Sequence, residues 1–326
     1  MLGLGNSISR SSVSESGASA LRLVSPLLLD TYSGAVAAYS LRKLSSDYSG
    51  KAIQIRRASD NVEVDVSFDS SGAVSLDSAV TNVTEETTGS STSLVTSATN
   101  LGQFVANASY TDADSLGSAD SALVQCWYDQ SGNSNNATQN TAGSQPQIVS
   151  SGAVIVENGK PAVYGAGSPK HLMTSSVSLT NGEWLAFAVA ARIAGTKIMG
   201  QDMVGNRVNQ IINNNGTVSQ SIGFNTSGSF VVDNSATFTS TTNLVLNTSQ
   251  LSSNVLEAFW NGQGDGGTAH TNQTTAAAEL NFFRNGTNSG AYLTGYISEV
   301  VVYAFENSAN RTNIETNINS FYNIYS

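Results

Sequence analysis

Between Lys51 and Phe68 apolar and polar residues alternate twice, in KAIQIRR and again in NVEVDVSF. A period of two describes a strand with one buried face and does not fit a helix. Ala58-Ser59-Asp60-Asn61 between the runs is a turn signal. The segment is therefore expected to be a hairpin with Ile53, Ile55, Val62, Val64, Val66 and Phe68 buried. Further short apolar runs follow at 147–149, 153–156, 184–190, 229–232, 243–246, 256–260 and 296–303. Asn261-Gly262 directly after Trp260 is a two-residue hairpin signal. Many short strands joined by polar turns imply an all-β, two-sheet antiparallel sandwich.

Composition agrees with that pattern. Charged residues make up 12% of the 326 residues, about half the usual share of roughly 25%. Hydrophobic residues stay at 40%, enough for a sizeable core, and Ser, Thr, Asn and Gly fill the difference, as polar turns require. Ala35–Leu44 suits a short strand or helix, and residues 70–100, with Glu85-Glu86, read as loop around one short element. The C-terminus changes period: Ile314, Ile318, Phe321 and Tyr322 fall on one stripe of a short amphipathic helix, with Asn307 or Ser308 as its cap. Residues 1–34 are Ser- and Gly-rich and form an extended N-terminal arm. The segment reads either as a flexible terminus or as a strap that orders against a partner, and Leu2, Leu4 and Ile8 favour the strap. Residues 35–326 form the sandwich domain.

The net charge of -10 and the lack of any basic cluster beyond Leu41-Arg42-Lys43 and Arg56-Arg57 exclude a nucleic-acid footprint. A neutral polar ligand such as a carbohydrate fits better, and a generic acidic surface with no ligand fits the charge equally well. Cys126 is the single cysteine, so no internal disulfide forms, and its apolar run predicts a buried, inert thiol. His171 and His270 offer no zinc-type set, so no cofactor is expected, with calcium on Asp, Asn and carbonyl oxygens left open. The first thirty residues show no basic stretch leading into a long apolar core, and no segment is long enough to span a membrane. The chain is accordingly expected to be made in a cytoplasm. Its Asn-x-Ser/Thr triplets are by-products of composition.

Three stretches, AAYSLRKLSSDYSGKAIQIRRASDNVEVDV (37–66), WYDQSGNSNNATQ (127–139) and GYISEVVVY (295–303), resemble the catalytic-type domain of α-L-arabinofuranosidase B, glycoside hydrolase family 54. The resemblance implies a concanavalin-like jelly roll and covers most of residues 35–326. It also implies two catalytic carboxylates: a glutamate on a mid-domain strand as nucleophile, and an aspartate in a Gly-Gly-Asp segment shortly before the final Gly-x-x-x-Glu strand as acid. The sequence departs at both places. No glutamate lies between Glu183 and Glu257, and Arg284 and Asn285 stand where the acid would be sought. The remaining candidate acids are Asp202, Asp233, Asp265 and Glu299. Glu299 matches a family position, although a structural carboxylate is the commoner role for such a residue. Asp129 is expected either to pair with Arg56 or Arg57 or to accept backbone N–H groups within its own loop. Trp127, Tyr128, Asp129 and Trp260 are the candidate ligand-binding residues, the aromatics serving either as sugar-stacking faces or as core.

The resemblance extends to phage structural proteins as well as secreted enzymes. Two functions follow. One is a non-enzymatic virion structural protein, a head decoration, fibre or tail appendage. Its arm would join other virion proteins, its copies would associate as a homo-oligomer, and its sandwich would bind host surface glycans. The other is an active arabinofuranosidase-like hydrolase. A purely structural protein with no ligand is a third possibility.

Overall fold

The computed structural model describes residues 26–83, 95–179, 183–203, 207–215, 217–224, 230–235, 237, 243–270, 278–284, 286, 291–304 and 308–326. Leu2, Leu4, Ile8, Glu85-Glu86 and Asn307 lie outside them.

The chain opens with α1 (Leu28–Thr31), then β1 (Ala37–Ser40), β2 (Ile53–Arg57), β3 (Glu63–Val66), β4 (Val80–Asn82) and α2 (Leu101–Phe104). Next come β5 (Ala122–Trp127), β6 (Ala137–Thr138), β7 (Gln147–Ser150), β8 (Ala153–Val154), β9 (Val156–Glu157), β10 (Lys160–Pro161), β11 (Val163–Ala166) and β12 (Leu172–Val177). The second half supplies β13 (Trp184–Gly195), β14 (Lys197–Met203), β15 (Arg207–Asn214), β16 (Ser219–Phe224), β17 (Phe230–Asn234) and β18 (Val245–Ser252). It closes with β19 (Val255–Trp260), β20 (Thr268–Ala269), β21 (Ala278–Phe282), β22 (Leu293–Tyr303) and α3 (Arg311–Tyr322).

The fold is an antiparallel sandwich with a short C-terminal helix. In the first sheet β13 runs along one edge of β22, while β1 and β11 share the other edge end to end. β18, β19 and β20 extend this sheet beyond β13. The second sheet runs β4-β3-β2-β5-β6-β12-β21-β14-β15-β16-β17. β7 pairs with both β5 and β11 and so stitches the two sheets together along one side.

The first sheet is covered on both faces, which explains why residues 184–191 of β13 are buried without alternation. Trp184, Ala186, Ala188 and Ala190 face the second sheet in one apolar cluster. Leu185, Phe187, Val189 and Ala191 face a second cluster made with Leu28, Leu29, Leu44, Ile314, Ile318 and Tyr322. Fully burying a Leu, Ile or Phe side chain contributes roughly 1.5–3 kcal/mol, so the helix layer is fixed by these contacts rather than by capping. Its first residue follows Asn310, whose side chain makes no cap hydrogen bond, and Ser308 sits in a preceding 3-10 turn, Ser308–Asn310. The cap expected from the sequence is therefore displaced by that extra turn. Asn323 ends the helix in the left-handed region at φ 51°.

The expected hairpin is present as β2–β3, with Ile53 opposite Val66 and Ile55 opposite Val64. Phe68 falls beyond β3 and is only half-buried. At Asn261-Gly262, Trp260 and Gln263 exchange both backbone hydrogen bonds at 2.9 Å, and both turn residues have positive φ, 49° and 80°. Ala35–Leu44 resolves into strand β1.

Toward β15 and β16 the space between the sheets turns polar. Ser219 Oγ donates to Asn247 Oδ1 at 2.5 Å, the Ser221 and Ser249 hydroxyls lie 2.5 Å apart, and Trp184 Nε1 donates to Ser249 Oγ at 2.8 Å. All of these residues are buried.

Ile318, fully buried under the first sheet, gives the direct test of the helix layer. Ile318→Ala is expected to lower stability by roughly 2–5 kcal/mol, read from chemical denaturation, with the secondary-structure content of the folded protein unchanged.

Candidate functional site

The polar loop after β5 is a structural clamp. Trp127 is fully buried, its ring 6.1 Å from that of Tyr39. Asp129, 3% exposed, takes hydrogen bonds from Ala38 N (2.8 Å) and Ser131 N (2.9 Å) on Oδ1. Ser131 Oγ (2.7 Å) and Asn135 N (3.0 Å) fill Oδ2. Gln130 completes the clamp: its backbone N donates to Ala38 O, its Oε1 accepts from Leu44 N, and its Nε2 donates to Ser40 O and Arg42 O. Gly132, at φ 89°, allows the bend. Asp129 thus holds its own loop, as one sequence alternative proposed, and also reaches β1. It does not pair with the arginines: Arg56 binds Gln145 and Asn61, and Arg57 pairs with Asp60 and Asp114.

Tyr128 is half-buried and donates to Asp65 Oδ1 at 2.6 Å; burial and that bond push its phenol pKa upward. Trp260 is 6% exposed, so neither tryptophan presents an open ring face. Burial pushes the Cys126 thiol up to about 12, in keeping with an inert side chain.

The carboxylates divide between two layers. On β22, Val300 and Val302 face the second sheet, whereas Glu299 faces the helix layer. It is 1% exposed and takes both nitrogens of the Arg42 fork, Nε at 2.8 Å and Nη2 at 3.0 Å. Ser40 Oγ donates at 2.8 Å and Tyr322 Oη at 3.3 Å. Arg42 in turn lies 4.8 Å from the centre of the Phe321 ring. Four donated hydrogen bonds leave Glu299 no approach for a substrate.

At the opposite end, Asp233 accepts from Ala258 N on Oδ2 and from Thr268 Oγ1 on Oδ1, both at 2.8 Å. Burial raises its pKa against those bonds, and the charge of Asp265 adds to the rise. Glu257, missed in the sequence reading, is also raised by burial; Arg311 opposes the shift, and Asp233 and Asp265 reinforce it. Asp265 is exposed. The structure therefore brings Asp233, Glu257 and Asp265 into one electrostatic neighbourhood and leaves Glu299 apart. Asp202 belongs to β14; its side chain lies outside the described ones.

Where the resemblance leads one to seek an acid, the chain carries Arg284. It is 6% exposed, with Nε bonded to Asn281 Oδ1 at 2.9 Å. Phe283 before it adopts φ 66° and packs where a Cβ on Gly165 would meet its ring at 2.3 Å. Nearby, His171 places Nδ1 2.8 Å from Pro169 O and Nε2 2.7 Å from Gln139 Nε2. This geometry suits a neutral ring that donates through Nδ1 and accepts at Nε2. Burial lowers its pKa, as does the charge of Arg284.

A groove of about 1010 Å³ opens between residues 69–76, the β9–β10 hairpin and α3. Lys43, Lys160, Asn317, Ser320 and Phe321 contribute its polar and aromatic lining, and Asp69 its carboxylate. Asp69 is already engaged by Ser71 N, Ser71 Oγ, Ala73 N and Ser75 Oγ. Burial pushes its pKa up, but these bonds outweigh it and hold the carboxyl below its ordinary value. Among the described residues no three His, Cys, Asp or Glu side chains are placed to share a metal ion, and no helix is long and apolar enough to cross a membrane.

Comparison with solved structures finds a similar fold in arabinofuranosidases, two of them of glycoside hydrolase family 54. The chain is similar to an arabinofuranosidase complexed with arabinofuranosyl-α-1,2-xylobiose, at 13% identity and TM-score 0.51. It is similar to a family 54 α-L-arabinofuranosidase soaked with a cyclic sulfate inhibitor, at 14% and 0.53, and to a Glu-to-Gln mutant of such an enzyme soaked with 4-nitrophenyl α-L-arabinofuranoside, at 14% and 0.54. Each match covers 89% of this chain and 64% of the other. The likeness is one of fold. No protein-family model matches the sequence, and no curated protein matches it.

Two measurements follow. Glu299→Gln removes one partner of a buried ion pair and is expected to cost roughly 3–5 kcal/mol, read from urea denaturation. His171, with its pKa depressed below the ordinary value of about 6.5, is neutral at pH 7. Because the unfolded chain binds that proton more readily, its contribution to stability is lost as pH falls below about 6.5. Its imidazole resonances in an NMR titration should show a midpoint below that of a free histidine, and Arg284→Gln should raise it.

Proposed function

We propose that the chain is a non-hydrolytic carbohydrate-binding sandwich carried as a structural component of a phage virion. In this reading the N-terminal arm joins other virion proteins, and several copies associate so that weak contacts to host surface glycans add up. The observation that carries the non-hydrolytic reading is the state of Glu299: the carboxylate that matches a family position is sealed by Arg42, Ser40 and Tyr322 on the helix side of the sheet. The similarity to arabinofuranosidases supports a sugar-related fold. The low charge and Asn/Ser/Thr-rich composition suit a surface that meets neutral polar partners.

A hydrolytic reading has one observation in its favour, the raised pKa values of Asp233 and Glu257 beside Asp265. An upward shift is the direction a general acid needs. Against it, both oxygens of Asp233 are engaged in tying β17 to β19 and β20.

Incubated with 4-nitrophenyl α-L-arabinofuranoside, the full chain is expected to release no 4-nitrophenol above the rate of buffer. It is expected to bind one or more sugars on a glycan array, and to be found on purified particles in fixed stoichiometry. Hydrolysis that is abolished by Asp233→Asn or Glu257→Gln would establish the enzyme instead.

A further inference from the structure

We infer that the groove beside α3 is a binding site for an acidic saccharide, one whose carboxylate is read by Lys43 and Lys160; this rests on the carbohydrate-binding reading and specifies its ligand. The argument begins with charge. The protein carries a net charge of -10, yet the groove is lined by three cationic side chains and one carboxylate. The Arg42 charge is spent on Glu299, and Asp69 is saturated by its own loop. Lys43 and Lys160 form no ion pair among the described residues. Glu157, opposite Lys160 across the β9–β10 hairpin, is outside the lining. The Lys160 ammonium therefore stands in the cavity wall with no carboxylate paired to it among the described residues, whereas Lys43 shares the field of Asp30, which lies outside the lining.

The cations are also positioned. Lys160 Nζ lies 4.1 Å from the centre of the Phe321 ring, whose face holds the ammonium while leaving its N–H groups available. Phe321 is anchored through its neighbour Tyr322, which is 1% exposed. Lys43 donates a long hydrogen bond of 3.3 Å to Ser46 O and helps to lower the pKa of Asp30, contacts that a stronger acceptor in the groove must displace. Asn317 and Ser320, one turn apart on α3, complete the wall: the Asn317 amide donates to Pro26 O at 2.9 Å and Ser320 Oγ donates to Asn317 O at 2.7 Å, which leaves the Ser320 oxygen as an acceptor. The volume of about 1010 Å³ is at the upper end of the range for small-ligand pockets, roughly 300–1,000 Å³, and accommodates an oligosaccharide rather than a single ion. A neutral sugar would leave the Lys160 ammonium without a carboxylate, and a phosphate or sulfate would leave most of the groove unfilled.

The test uses the full chain and calorimetric titration with trigalacturonate and 3′-sialyllactose, which separate uronate from sialate, against the neutral maltotriose and lactose. One acidic probe is expected to bind, with affinity falling as salt is raised from about 20 to about 300 mM. Lys43→Ala and Lys160→Ala are each expected to weaken it about tenfold. The same probe should protect both lysines from acetylation by an amine-reactive reagent. Equal binding of neutral sugars, or lysine variants that bind like the parent, would overturn this assignment and leave the carbohydrate-binding reading standing. Binding of no saccharide at all would overturn both. Lysines that resist acetylation before any probe is added would show the groove covered by protein, which also overturns the assignment.

Discussion

The hydrogen bonds that Asp129 and Gln130 make to β1 hold the architecture together. One edge of β1 pairs with β22; the other edge has no strand beside it among the described residues. At that edge Ala38 N is bonded to the Asp129 carboxylate and Ala38 O to the Gln130 backbone, while the Gln130 amide takes up Ser40 O, Arg42 O and Leu44 N. Two adjacent residues thus do what a further strand would do. An open strand edge is a site for unwanted pairing, and here polar side chains close it. The clamp also sets the direction of the chain through Ser40 and Arg42, so the Glu299 pair and the floor of the groove depend on it.

Position within the layers decides what each carboxylate can do. Glu299 is on the central strand of a sheet packed on both faces, and its side chain enters the layer between sheet and helix. A charge there needs a partner, and the Arg42 fork provides it with two-point geometry that a lysine would not match. Asp233 and Glu257 are at the far end, and their raised pKa values follow first from burial and then from neighbouring carboxylates, Asp265 for Asp233 and both Asp233 and Asp265 for Glu257. A residue that aligns with a family position can therefore be structurally fixed, and Asp233, which has no such alignment, is tied down by backbone and hydroxyl donors as well.

The sequence was most informative where the physics is local. The β2–β3 hairpin shows in its alternation, and the Asn261-Gly262 turn in the need of both residues for positive φ. Strands β14 to β16 carry no alternating apolar run, because the buried Ile198, Met199, Ile211 and Ile212 stand among equally buried Gln201, Asn213, Asn214, Ser219 and Ser221. The stripe of Ile314, Ile318 and Tyr322 exposed the helix, but its start depended on a 3-10 turn with no distinct signature. For the site, the turn role of Asp129 could be read from neighbouring Ser and Asn residues. The reach of Gln130 to Leu44 and of Arg42 to Glu299 could not, since those partners are 86 and 257 positions apart. The groove lysines belong to segments that meet only in the folded chain.

The pairing of β1 with β22 has a consequence for how the molecule is made. Ser40 and Glu299 are hydrogen-bonded although 259 positions separate them. The sheet on which both apolar clusters rest cannot close until its last strand is available. During synthesis the segment from Ala35 to Leu44 must therefore wait for its sheet partner, held at its far end by the Arg42–Ala73 bridge and along β1 by the Asp129-Gln130 loop once that has emerged. Such long-range closure slows folding and prolongs exposure of unpaired strands. By fastening the early strand before its true neighbour exists, the polar loop shortens that vulnerable interval, a role in time as well as in space.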